Sequence, residues 1–244
     1  MTQSQHLTIV TGASRGLGLA MTRQLLERGH RVLALARKPA LLAGADLVLW
    51  SLDLADPLAA AQRLETWLAT LPTPTSATLI NNAGVVSELA PLGAVSAADL
   101  SNAIRVGLEA PLLLSSAFLR ATAAWAVPRK LLLISSGLGR RAMAGSASYC
   151  AAKAGMDHLA RAVALEEAAR PNGARVVSLA PGIIDTDMQR QLRGSDPALF
   201  PDREKFVQFK YSGALDSPEE AATKVLRFLE RSDFGDDPVS DVRS

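Results

Sequence analysis

Only one cysteine, Cys150, occurs in 244 residues, so the chain has no internal disulfide framework and suits a reducing, cytoplasmic compartment. Charge of one sign is also lacking. The net charge is +2, and no basic block stands apart from the periodic segments, which argues against nucleic acid and against an anionic membrane as partners. No apolar stretch reaches the roughly 20 residues that span a bilayer, and the first apolar run, bracketed by His6 and Gly12, is strand-length rather than a signal region. Repeats, low-complexity tracts and domain linkers are missing, and no metal-ligand set stands out. Pro72-Thr73-Pro74-Thr75 is too short for a linker and reads as a surface loop. Cys150 itself is read either as a small buried hydrophobe or as a reactive thiol.

What is present is core-forming material. A hydrophobic content of 48% over residues 1–244 is enough for one large core, within the size range where α/β folds remain single domains. Apolar strand runs alternate with helical patterns, the signature of a parallel sheet covered on both faces. The pattern predicts strands near 6–11, 31–36, 46–50, 77–81, 129–135, 174–179 and 238–241. Helices are expected over 16–29, 57–70, 97–124, 148–169 and 217–231. The last begins Ser217-Pro218-Glu219-Glu220, which supplies a serine cap, a first-turn proline and acids for the helix N-terminus.

Two clusters carry chemistry. Leu7-Thr8-Ile9-Val10-Thr11 runs into Gly12-Ala13-Ser14-Arg15-Gly16-Leu17-Gly18, a strand feeding a glycine turn that opens a helix. Glycines there permit a tight turn and close backbone approach, and the free N–H groups of the helix point at an anion such as a pyrophosphate. Further on, Ser136 closes the run Leu131-Leu132-Leu133-Ile134, and Tyr149 precedes Lys153 by one helical turn. Four residues apart on a helix is one face, so the Lys153 ammonium is expected beside the Tyr149 phenol, lowering its pKa toward the range a general acid needs. Ser136, at a strand's carboxyl end, can hold the same carbonyl oxygen. Alone, a Tyr and a Lys at this spacing also describe a solvated surface pair. The glycine turn upstream tips the reading toward chemistry.

With these residues in place the sequence resembles the short-chain dehydrogenase/reductase family over nearly its whole length. Residues 11–18 are similar to the family's cofactor motif, Asn81-Asn82-Ala83-Gly84 to its sheet-stabilising motif, and Ser136, Tyr149 and Lys153 to its catalytic set. Pro181, Gly182, Ile184 and Thr186 resemble the segment that grips the nicotinamide end. The resemblance implies a Rossmann-type doubly wound α/β fold and a homodimer or homotetramer built on the 97–124 and 148–169 helices. The residues between Tyr149 and Gln189, with the tail Val239-Ser240-Asp241-Val242, look most like the sepiapterin reductase and benzil reductase branch. That likeness makes Asp241 either a substrate contact or a strand-end carboxylate.

The second strand bears on the cofactor. NAD-binding chains place a carboxylate about 20 residues past the glycine turn, whereas a 2′-phosphate needs positive charge there. Here stand Ala36, Arg37 and Lys38. Arg15 in the turn is a further cation expected to reach the same group, so NADP(H) is the expected cofactor. Arg37 and Lys38 also read as plain surface charges, and the missing acid favours the first reading. Asp53-Leu54 matches the family's adenine-contacting pair, although Asp53 could equally cap the next helix.

Gly107 departs from the family pattern, which commonly carries an asparagine at this point of the long helix, where a kinked backbone and a bound water link the catalytic lysine to solvent. Glycine in a helix costs about 1 kcal/mol relative to alanine, tolerable if the helix is already deformed. Either backbone and water still carry the proton relay, or turnover is slow and the chain is an NADP-binding sensor. Residues 183–215, with Met188 facing substrate, form a segment that could close over the nicotinamide or pack as helices on the body. The expected activity is NADPH-dependent reduction of a small-molecule ketone or vicinal diketone, aromatic or pterin-like, with 3-oxoacyl thioester reduction as the alternative.

Overall fold

The computed structural model describes residues 6–244. Among them a single sheet is built from β1 (His6–Thr11), β2 (Arg31–Ala36), β3 (Leu47–Ser51), β4 (Ser76–Asn81), β5 (Arg129–Ile134), β6 (Arg175–Ala180) and β7 (Val239–Asp241). The order is β3-β2-β1-β4-β5-β6-β7, with every neighbouring pair parallel. Its helices are α1 (Gly16–Glu27), α2 (Pro57–Ala69), α3 (Ala97–Ile104), α4 (Ala110–Ala121), α5 (Ala147–Ala168), α6 (Asp187–Gly194), α7 (Arg203–Tyr211) and α8 (Pro218–Glu230).

Successive strand residues point to opposite faces, so a strand buried on both sides reads as a continuous apolar run. Leu131 and Leu133 of β5 join the core shared with α2, α4 and α5 through Leu64, Phe118 and Met156. Leu132 and Ile134 join the core shared with α1 and α8 through Met21 and Val225. Burying a side chain such as Phe118 fully contributes about 1.5–3 kcal/mol, and it is wholly enclosed.

Caps fix the helix starts. Asp56, not Asp53, accepts from the Ala59 N–H ahead of Pro57 at the start of α2, and Ser217 and Glu220 form a reciprocal capping box at α8. The single helix expected over 97–124 is interrupted. Arg105–Glu109 forms a π-helical segment between α3 and α4, widening the turn just before Pro111, which has no N–H for the preceding turn. Gly107 sits in that segment, where an added Cβ would lie 3.1 Å from the Ala152 Cβ. Close approach of the segment to α5 is therefore what the glycine permits.

From β1 the chain builds outward to β2 and β3, then returns to the other side of β1 for β4. Strand order reverses at β1 and β4, which opens a crevice at the carboxyl ends of the strands.

Candidate active site

That crevice is a cavity of about 1000 Å³. At one end the glycine turn is locked to the end of β4. Thr11 Oγ1 accepts from the Asn82 and Ala83 N–H groups at 2.9 and 3.0 Å, and Asn82 Nδ2 donates to the Thr11 carbonyl at 2.9 Å. Gly12 has φ 68°, and a Cβ there would meet the Ala83 Cα at 2.9 Å, while one on Gly18 would lie 2.3 Å from the Gly12 carbonyl oxygen. Backbone crowding thus requires glycine and leaves the start of α1 open to a ligand.

Ser14, Arg15, Gly16, Leu17, Arg37, Lys38, Asp53, Leu54, Gly84, Pro181, Gly182, Ile184, Thr186 and Met188 line this cavity together with Ser136, Tyr149 and Lys153. Asp241 is not on its wall. It is paired with Arg243 through contacts of 2.7 and 2.6 Å, so its carboxylate is spent on the neighbouring guanidinium. Arg15, on the cavity wall, is ion-paired with Asp187 at the start of α6, and Asp187 also holds Arg190. Arg37 and Lys38 are exposed at the end of β2.

The chemistry sits at the other end. Ser136 follows β5 in extended conformation and accepts from the Leu138 N–H at 3.2 Å. Tyr149 is hydrogen-bonded to Ser136. Lys153, one turn along α5, is buried and donates to the Ile134 carbonyl at 2.7 Å, with its ammonium 5.5 Å from the centre of the Tyr149 ring. The expected depression of the Tyr149 pKa is not found. Burial pushes the phenol up to about 12, against the pull of the Ser136 hydrogen bond, because the ammonium faces the ring and a carbonyl rather than the hydroxyl. Burial likewise pushes Lys153 down to about 8, opposed by the Asp157 carboxylate. Tyr149 is thus fully protonated at neutral pH, the form that donates.

Asp157, a residue that spacing alone did not single out, is buried one turn beyond Lys153. It accepts from Ser178 Oγ at 2.7 Å and Arg140 Nε at 3.2 Å, and Arg140 also donates to the Ser240 carbonyl at 2.8 Å. The network ties α5, the turn after Ser136, β6 and β7 together. Arg141, Met143 and Asn102 also line the cavity unforeseen. For Arg141 and Met143 the signal was their place between Ser136 and Tyr149, which tethers them to the site.

The segment after Pro181 folds into α6 and α7, and both readings of it meet there. Its helices pack onto the body through Leu192, Phe200 and Phe206 against Leu89, and Met188 and Phe209 join the same cluster. Met188, Leu192, Phe206 and Phe209 also face the cavity.

A sequence profile for short chain dehydrogenases matches residues 6–196. The chain belongs to this family. It is 34% identical over 228 residues to a benzil reductase ((S)-benzoin forming) of Bacillus subtilis (strain 168), covering 93% of this chain and 94% of that one. To the sepiapterin reductase of Mus musculus it is 33% identical over 248 residues, covering 93% and 92%. The crystal structure of a short-chain dehydrogenase/reductase from Burkholderia vietnamiensis superposes with a TM-score of 0.66 at 34% identity, covering 98% and 99%. The protein is therefore an oxidoreductase of the short-chain dehydrogenase fold, acting on carbonyl or alcohol groups. Such enzymes bind a nicotinamide dinucleotide, and the residues present fit one: the glycine turn is a cradle that a Cβ would fill, and two buried polar atoms on the cavity wall, Ser135 Oγ and Gln189 Oε1, have no hydrogen-bond partner among the described residues. Among the described residues no helix is long and apolar enough to cross a membrane.

Proposed function

We propose that this chain reduces the carbonyl of a ketone or vicinal diketone, aromatic or pterin-like, to an alcohol with NADPH. The observation that carries the reading is the cavity itself: Ser136, Tyr149 and Lys153 converge at one end, beside an apolar wall of Met143, Met188, Phe206 and Phe209, and Arg37 and Lys38 stand at the other. The names of the benzil and sepiapterin reductase relatives support the same substrate class.

Bound NADPH supplies the hydride. Ser136 Oγ donates to the carbonyl oxygen and positions it. Tyr149 Oη gives that oxygen its proton, and the buried Lys153, held on the Ile134 carbonyl against the Tyr149 ring, fixes the position of that ring and would hold the nicotinamide ribose. Arg37 and Lys38 hold the ribose 2′-phosphate, where a carboxylate would repel it. Residues 183–215 cover the reacting end and exclude water. We further read the chain as a homodimer or homotetramer through α4 and α5, which expose Leu112 and Leu165.

The test is NADPH oxidation across vicinal diketones, pterins, quinones and 3-oxoacyl thioesters. Turnover highest on diketones or pterins is the expected result. Selective turnover of 3-oxoacyl thioesters would replace the reading, and NADPH binding without turnover of any of these would point to a sensor.

A further inference from the structure

Among the cations on the cavity wall, Arg141 has no use in the mechanism above. It leaves the turn that follows Ser136, and its backbone N–H donates to the Gly137 carbonyl at 3.2 Å. Its side chain folds back over that turn, with Nε 3.8 Å from where a Cβ on Gly137 would stand. The guanidinium therefore lies over the residue next to the serine that would hold the carbonyl oxygen. Among the described residues it has no hydrogen-bond or ion-pair partner.

The other charges nearby are committed. Asp187 is taken by Arg15 and Arg190, Asp185 by Lys210 at 2.6 Å and Arg193 at 3.5 Å, and Arg243 by Asp241. No acid on this wall neutralises Arg141. A guanidinium presents paired N–H donors that match a carboxylate in bidentate fashion. Met143 and Met188 line the same cavity and offer an apolar surface to the rest of such a ligand.

We propose that Arg141 reads a carboxylate on the substrate, so that the preferred substrate is an apolar 2-oxo acid. Such an acid is a vicinal dicarbonyl compound whose second carbonyl belongs to a carboxylate. With the ketone oxygen on Ser136 and Tyr149, the adjacent carboxylate falls toward Arg141 and the hydrocarbon body toward Met188 and Phe209. This rests on the reductase reading for the direction of the chemistry, while the anion contact stands on Arg141 alone.

The experiment compares benzoylformate with its methyl ester on the wild-type chain and on Arg141→Gln, a substitution at an exposed side chain outside the core. Binding is measured by calorimetry on the protein loaded with NADP+, which has no hydride to give, and turnover separately with NADPH. Wild type should bind benzoylformate the more tightly, and Arg141→Gln should weaken it about ten- to hundredfold while changing the ester by less than about threefold. Arg141→Lys should recover part of the loss. Equal effects on acid and ester, no effect on either, or no benzoylformate binding by wild type would overturn the proposal. Turnover of the ester together with any of those results leaves the reductase reading intact. Arg141-dependent binding with no turnover of either compound sinks the reductase reading and keeps the anion contact.

Discussion

The Lys153 ammonium lies over the face of the Tyr149 ring, 5.5 Å from its centre, and donates to the Ile134 carbonyl at 2.7 Å. Its burial makes its proton a stability variable. The folded-state pKa is about 8 against an ordinary 10.5, so between these values the unfolded chain binds the extra proton and stability rises with pH. Lys153→Met abolishes this dependence. Relative to wild type the variant should be most favoured below about pH 8, and the difference should close by on the order of 3 kcal/mol as pH rises toward 10.5. Urea unfolding of both proteins at neutral and high pH measures the gap. A gap that does not vary with pH contradicts the burial of a charged amine.

The cofactor prediction rests on Arg37. With Arg15 ion-paired to Asp187, the proposed phosphate contact is assigned chiefly to Arg37 and Lys38. Arg37→Asp should weaken NADPH about ten- to hundredfold and leave NADH nearly unchanged, whereas Arg15→Ala should do less. Fluorescence titration of each variant with both cofactors checks this. Equal losses for NADPH and NADH would move the discrimination elsewhere.

Gly107 faces Ala152, the residue just before Lys153. Gly107→Asn places a Cβ about where the Ala152 methyl already presses, and overpacking of this kind costs about 1–3 kcal/mol. Turnover should change by less than about tenfold, because the π-helical backbone is already in place. Ala152→Gly should then be less harmful in the Asn background than alone, with a coupling of at least about 0.5 kcal/mol in a double-mutant cycle. Strict additivity would mean that the two positions do not meet, and a large gain in turnover would mean that the relay was broken in the wild-type chain.

How far the sequence carried follows from the range of each signal. The strands were legible because two-sided burial writes itself as apolar runs such as Leu131–Ile134, and α8 was legible because Ser217 and Glu220 are local partners. The interruption at Arg105–Glu109 was legible only as a kink that the resemblance places at Gly107; its π-helical form, just ahead of Pro111, and the approach of Gly107 to Ala152 are set by packing across helices. Ser136, Tyr149 and Lys153 stood out by spacing, and the structure brings them to one cavity wall. The direction of the Tyr149 shift was missed because spacing places an ammonium on the right face of α5 without saying which atom it turns toward. The ion pairs of Asp187 with Arg15 and of Asp241 with Arg243 were not legible either, being set by tertiary packing for the one and by a short terminal turn for the other; the pairing of Asp241 agrees with the strand-end alternative of its two readings.

The central claim is that Tyr149 gives the proton to a carbonyl reduced with NADPH. Turnover of a vicinal diketone and the dissociation constant for NADPH, measured side by side on wild type and Tyr149→Phe, test it most directly. The account predicts a loss of turnover of at least about a hundredfold with NADPH affinity nearly unchanged, because the ring stays and only the hydroxyl leaves. Turnover near the wild-type rate in the variant would contradict it.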